Sequence, residues 1–229
     1  MAGTEAVISD FGGVLTSPLA GSFAVFEQTS GISLQQLGTA LAAFGARIGV
    51  NPLYELETGR LSEGEFLDSL AQQLSSQLGR AVVLDGFGEG YFANLEPNEP
   101  MIAFMRELRQ RGYRLGICTN NVREWEARWR AMLPVDEIFE VVVDSAFVGA
   151  RKPEPQIYEL TLERLGVGAE AALFIDDLEV NCEGARAVGM QAVWFQSTEQ
   201  ALEEIEAILA ADGGPQPAAQ PPDTAQDGA

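Results

Sequence analysis

The chain has 229 residues, 46% of them hydrophobic and 21% charged, a length and balance suited to one sizeable α/β domain or a core domain with a smaller insertion. Asp and Glu number 34 against 14 Lys and Arg, and the resulting net charge of -20 argues against nucleic acid or an anionic membrane as the partner. No apolar stretch approaches the ~20 residues needed to cross a bilayer, and the N-terminus lacks the basic and apolar regions of a signal peptide, so a cytoplasmic protein is expected.

Residues Ala6 to Asp10 read as a first strand, an apolar run ending in a lone carboxylate and followed at once by Gly12 and Gly13. From about residue 17 to residue 96 the pattern turns helical. Phe23, Val25 and Phe26 begin one helix, and Leu34, Leu37, Leu41 and Phe44 continue at helical spacing in the next. Ser62 and Glu65 form a capping-box pair that opens a third helix, whose apolar face of Phe66, Leu67, Leu70 and Leu74 runs out near Gly79. Shorter helical pieces are expected around Leu53–Thr58 and Gly86–Ala93. This is an all-helical insertion between the first strand and the rest.

From Pro97 onward helices and strands alternate: a helix over 99–111, a strand over 113–118, a helix over 122–132 and a strand over 139–143. A helix over 155–165, a strand over 171–175, a helix over 180–188, a strand over 191–195 and a last helix over 198–211 complete the series. Such alternation predicts an α/β fold with a doubly wound parallel sheet and right-handed crossovers. The expected organisation is thus a core of residues 1–16 and 97–211, a helical insertion of residues 17–96, and a Pro/Ala/Gly/Gln-rich tail over 212–229 that is expected to be disordered.

Four segments at one sheet edge could carry chemistry: Asp10 after the first strand, Thr119 and Asn120 after the second, Lys152 in the loop after the third, and Asp176-Asp177 after the fourth. A carboxylate attacking a phosphoryl group needs its own charge and the substrate's charge neutralised. Thr119 offers a hydroxyl, Asn120 amide donors, Lys152 a compact positive charge, and the acidic pair hard oxygen donors for a divalent cation such as Mg²⁺. Each feature also has a bland reading: a strand-to-helix turn, an acidic pair complementing a helix dipole, a solvated loop lysine. The set argues otherwise, because the chain has no histidine and Lys152 is its one lysine beside thirteen arginines. Cys118 and Cys182 read as reduced structural thiols, with no CxxC pair to suggest a metal.

The segments Asp10-Phe11-Gly12-Gly13-Val14-Leu15, Cys118-Thr119-Asn120, Arg151-Lys152-Pro153-Glu154-Pro155-Gln156-Ile157-Tyr158 and Phe174-Ile175-Asp176-Asp177 resemble, in order, the four motifs of the haloacid dehalogenase superfamily. The resemblance covers roughly residues 5 to 205, and is nearest to the phosphatase domains of soluble epoxide hydrolases and their single-domain bacterial relatives. It implies a Rossmann-like core with a helical cap and assigns roles. Asp10 would be the nucleophile forming an aspartyl-phosphate, with Lys152 and Asp176 as its catalytic partners, Asp176 orienting Lys152 or a metal-bound water. Asp10, the Gly12 carbonyl and Asp177 would hold Mg²⁺. Thr119 and Asn120 would hold the phosphoryl group of a small-molecule phosphate, and Asn181 would support that side of the site.

One position departs from that pattern. Most phosphatases of this superfamily carry a second Asp two residues after the nucleophile, to protonate the leaving alcohol; here Gly12 occupies the place. General acid assistance is worth ~10²–10⁴-fold. The expected activity is a Mg²⁺-dependent phosphomonoester hydrolase with a good leaving group or a substitute donor, for which Tyr54, Glu55 and Glu57 of the insertion are candidates. The alternatives are a metal-independent 2-haloacid dehalogenase and a catalytically weak phosphate-binding module. Arg47, Arg60 and Arg80 are candidate contacts to an anionic substrate, or simply solvated helix charges.

Overall fold

The computed structural model describes residues 3–212, so the expectation for the tail beyond Asp212 lies outside the described residues. Five strands, β1 (Ala6–Ser9), β2 (Arg114–Thr119), β3 (Val141–Asp144), β4 (Ala172–Asp176) and β5 (Gln191–Trp194), form one sheet of order β3-β2-β1-β4-β5. All pairings are parallel. The α/β, doubly wound sheet is therefore as the alternation implies. The central strand β1 is flanked by β2 on one side and β4 on the other. The chain winds outward in one direction through β2 and β3 and in the other through β4 and β5. In open parallel sheets the crevice at such a reversal, outside the carboxyl ends, is where ligands bind.

Side chains alternate across the strands and feed two apolar layers. Val7, Leu115, Ile117, Leu173 and Ile175 pack on one face against α6 (Glu99–Gln110), the short α7 (Glu126–Arg130) and α8 (Val135–Ile138), and α12 (Thr198–Asp212). Ala6, Ile8, Cys118 and Phe174 pack on the other face against α10 (Pro155–Leu165) and α11 (Glu179–Ala187). Both cysteines are free and buried.

The insertion forms α1 (Ala20–Ser30), α2 (Leu34–Ile48), α3 (Pro52–Glu57), α4 (Glu63–Leu78) and α5 (Phe87–Phe92). Ser62 and Glu65 make the expected capping box, and Gly79 ends α4 in the left-handed conformation. The insertion has its own apolar cluster, with Leu37, Phe44, Phe66, Leu70 and Leu74, into which Val122 of the core also packs. Its two connections run side by side: Thr16 bridges Pro97, the Ser17 N–H donates to the Glu96 carbonyl at 2.7 Å, and the Asn98 N–H donates to the Leu15 carbonyl at 2.9 Å. Among the described residues, no helix is long and apolar enough to cross a membrane.

Two stretches differ from expectation. The helix expected over 122–132 is a 3-10 turn (Arg123–Trp125) followed by α7, and two short helices, α8 and α9 (Ser145–Val148), flank β3. The break turns Trp125 to the insertion, where it stacks on Tyr91, and Trp129 to the core, where its ring lies 5.0 Å from that of Phe11.

Asp144 caps α9, its Oδ1 accepting from the Ala146 N–H at 3.0 Å, while its Oδ2 is buried without a hydrogen-bond partner. Burial pushes this carboxyl up to about 6, more than the Ala146 N–H lowers it. The folded chain therefore keeps a proton that the unfolded chain releases near ~4, and stability falls as pH rises between those two values. Asp144→Asn is expected to remove this share of the slope, roughly 1–3 kcal/mol, in urea unfolding across that range; an unaltered slope would rule Asp144 out as its source.

Candidate active site

Asp10 extends the central ladder, its N–H donating to the Ile175 carbonyl at 2.8 Å. Its carboxylate Oδ1 accepts from the Phe11 N–H at 2.7 Å and pairs with Lys152 Nζ at 2.8 Å. Lys152 Nζ also meets Asp176 Oδ2 at 2.6 Å, with Lys152 and Asp176 both fully buried. The other oxygen of Asp176 accepts from the Leu178 N–H and from Asn181 Nδ2, each at 2.9 Å. Asp176 thus has both oxygens engaged by protein donors.

Asn120 clamps the backbone of Lys152: its Oδ1 accepts from the Lys152 N–H at 2.8 Å and its Nδ2 donates to the Lys152 carbonyl at 3.0 Å. Sequence reasoning expects Asn120 to hold the phosphoryl group and Asn181 to support that side of the site; the structure joins the Asn120 amide to the Lys152 backbone and the Asn181 amide to Asp176. Tyr158 holds Asn181 in turn, its hydroxyl donating to the Asn181 carbonyl at 2.8 Å. Thr119 is buried at the end of β2, in register with Asp144 of β3.

Gly12 and Gly13 turn the chain just beyond Asp10. Gly13 has φ +79, and a Cβ there would collide with Asp177 Oδ2. The glycine therefore lets the Asp177 carboxylate lie against the turn, while the Asp177 carbonyl accepts from Trp194 Nε1 at 3.0 Å. Carboxylate oxygens of Asp10, Asp176 and Asp177 all lie within 4.8 Å of one another. Three carboxylates against one ammonium leave two uncompensated negative charges. Burial, with the neighbouring acids and against the pull of Lys152, raises Asp10 to about 7; burial and then Asp176 raise Asp177 to about 6. Lys152 is raised despite its burial, by the charges of Asp10 and Asp176. A cluster of hard oxygen donors with excess negative charge suits a divalent cation such as Mg²⁺.

The insertion sits against the same loops. Arg151, next to Lys152, meets Glu57 of α3 at 2.6 Å and lies 3.8 Å over the Tyr54 ring. Gly59, at φ +68, allows the insertion to touch the Ala146 carbonyl and Arg123, where a Cβ would clash. Trp125 Nε1 donates to Glu63 at 2.7 Å, and its ring stacks on Tyr91 of α5. Of the candidate substitute donors, Glu57 and Tyr54 are engaged with Arg151, and Glu55 pairs with Arg60 at 2.9 Å. Arg80 donates to the Ser30 carbonyl and Arg47 lies over Phe44, so these three arginines have partners within the insertion.

Sequence reasoning did not single out Leu19, Tyr91 and Trp125, which lie where the insertion meets the core. Leu19 places its methyl groups 3.4 Å from where a Gly12 side chain would begin. Burial first, then the charges of Asp10 and Asp177, raises the Tyr91 phenol above its usual value. The one sequence signal for Tyr91 was its position just before the linker that returns to the core.

A central parallel strand ending in a carboxylate that is ion-paired to a buried lysine, under an inserted helical cap, defines a class of hydrolase. The chain belongs to the haloacid dehalogenase-like hydrolases, whose family model matches residues 4–189. It is 30% identical over 216 residues to a phosphatase of Mycobacterium tuberculosis, covering 91% of this chain and 95% of that protein. It is also 30% identical over 215 residues to acyl-CoA dehydrogenase family member 10 of the mouse, covering 90% of this chain but spanning only 19% of that longer protein. A solved haloacid dehalogenase family enzyme from Bacteroides thetaiotaomicron, in complex with magnesium and inorganic phosphate, shares the fold with a TM-score of 0.65 at 20% identity, covering 87% of this chain and 99% of that one.

Gly13→Ala is expected to displace Asp177 and to cost roughly 1–3 kcal/mol in urea unfolding. Full retention of stability would show that Asp177 does not depend on this turn.

Proposed function

We propose that the protein is a Mg²⁺-dependent phosphomonoester hydrolase that works through an aspartyl-phosphate on Asp10. The observation that carries this reading is the buried Lys152 ammonium between Asp10 and Asp176, with a third carboxylate, Asp177, beside them. The lysine holds Asp10 in place and offsets part of the charge that accumulates when a carboxylate approaches a phosphate. A carboxylate oxygen of Asp10 forms the bond to phosphorus as the ester P–O bond breaks and the electron pair leaves with the alcohol oxygen. Water then cleaves the acyl phosphate, releasing inorganic phosphate and restoring Asp10.

Asp10, Asp177 and the Gly12 carbonyl would hold Mg²⁺, which supplies positive charge to the phosphoryl oxygens when bound. Asp176, with both oxygens bonded to protein groups, would act by fixing Lys152. Thr119 would hold a phosphoryl oxygen, and Asn120 would position the Lys152 backbone, with Asn181 serving Asp176. Similarity to a phosphatase over nearly the whole chain supports the reaction class. The strongly acidic chain favours a small-molecule phosphate over a polyanion as substrate.

Phosphate release from 4-nitrophenyl phosphate is expected to need Mg²⁺, to stop with EDTA, and to fall by at least about 10³-fold in Asp10→Asn. Turnover that survives EDTA, or that is confined to 2-haloacids, would overturn the reading. Lys152→Arg is also expected to lose at least about 10²-fold in kcat, because a guanidinium cannot replace the ammonium in this buried slot; near-normal kcat would show that any cation serves.

A further inference from the structure

Lys152 pairs with Asp10, and Asn120 grips the Lys152 backbone through both atoms of its amide. The next residue on each of these two loops reaches toward the cap. Arg151, just before Lys152, bonds Glu57 of α3 through Nε at 2.6 Å. Asn121, just after Asn120, donates its N–H to Ser145 Oγ at 3.1 Å, and the Ser145 hydroxyl donates in turn to the Glu57 carbonyl at 2.5 Å. These contacts close a ring that runs from Glu57 through Arg151 and Lys152 to Asn120, and back through Asn121 and Ser145. Glu57 belongs to the cap, and the other five residues belong to the core.

The ring is held away from bulk water, which weakens exposed pairs. The Arg151 and Glu57 side chains are 12% and 24% exposed, and Ser145 is fully buried. Tyr54 lies one turn before Glu57 on α3, and its ring sits 3.8 Å from the Arg151 guanidinium, so one face of the helix grips Arg151 twice. Two residues beyond Glu57, Gly59 brings the chain against the Ala146 carbonyl, which keeps the end of α3 beside Ser145.

We propose that Glu57 is a positioning residue for phosphoryl transfer: through it the cap holds the Asn120 and Lys152 loops at the spacing that keeps the ammonium on Asp10. This rests on the phosphatase reading above. Lys152 offsets charge as Asp10 bonds to phosphorus, so its placement bears on the transition state more than on binding of the ester. Small displacements of such a group are costly in rate. Glu57 exchanges no proton with the substrate, so its removal acts alike on esters of different leaving groups.

Glu57→Ala opens the ring at Arg151, Glu57→Gln keeps an acceptor there, and Ser145→Ala opens the ring at the other loop. Phosphate release with Mg²⁺ is measured on 4-nitrophenyl and phenyl phosphate for the full-length protein and these variants. Glu57→Ala is expected to lower kcat about tenfold on both esters with KM within about twofold, and Glu57→Gln to recover most of that loss. Glu57→Ala combined with Ser145→Ala is expected to cost about what the worse of the two costs alone, because a ring already open has no second constraint to lose. An unchanged kcat, a loss confined to KM, or losses that multiply in the double variant overturns the assignment. So does a Glu57→Gln variant as poor as Glu57→Ala, since holding Arg151 needs an acceptor; a loss that also grows from 4-nitrophenyl to phenyl would make Glu57 a proton donor instead. Should Ser145→Ala not fold, the two Glu57 variants decide alone. Each of these failures leaves the phosphatase reading standing, whereas a wild-type protein inactive on both esters overturns both.

Discussion

A lysine ammonium with no water around it is expensive to bury, and Lys152 is buried almost completely. It is tolerated because two carboxylates, Asp10 and Asp176, arrive from neighbouring strand ends and share it. Removing one partner of such a group typically costs ~3–5 kcal/mol, since the remaining charge has no solvent to turn to. Asn120, from a third strand end, grips the backbone of the same residue. One residue, through its side chain and its backbone, therefore ties together β1, β2, β4 and the loop after β3. The geometry that would present Asp10 to a substrate is also the geometry that lets this edge of the sheet close.

The same loops seat the cap. Arg151 reaches Glu57 and Tyr54, Ser145 donates to the Glu57 carbonyl, and Trp125 bonds Glu63 and stacks on Tyr91. None of these residues belongs to the carboxylate–lysine cluster, but the core partners, Trp125, Ser145 and Arg151, lie in the segments that follow β2 and β3. The position of the cap is thus set by the neighbours of the site residues. Its two connecting strands lie together at residues 16–17 and 96–98, so the cap attaches at a single narrow point.

The charge balance completes the site's chemistry. Lys152 offsets only one of three clustered carboxylates, and burial makes the remaining negative charge costly, as the raised Asp10 and Asp177 show. A dipositive cation would relieve both at once. Toward the cap, Leu19 lies over Gly12 and Tyr91 stacks on Trp125.

Much of this was legible in the amino-acid sequence, where the determining interactions are local. Helical spacing and the Ser62–Glu65 capping box marked α4 nearly to the residue, and apolar runs that end in polar residues brought Asp10, Thr119, Lys152 and Asp176 to one sheet edge. Those signals work because a helix cap or a strand end depends on residues a few positions apart. The break at Trp125 was not legible, because its cause is two distant clusters that pull Trp125 and Trp129 in different directions. Nor could the sequence show that Asn120 and Asn181 spend their amides on Lys152 and Asp176, that Leu19 covers Gly12, or that Tyr91 stacks on Trp125. Each is a contact between segments far apart in the chain, and only the packing of cap against core decides which side chains meet there. Residue types and their order determined the hydrolase class the site suits; tertiary packing decided which groups support the site and how the cap meets the core.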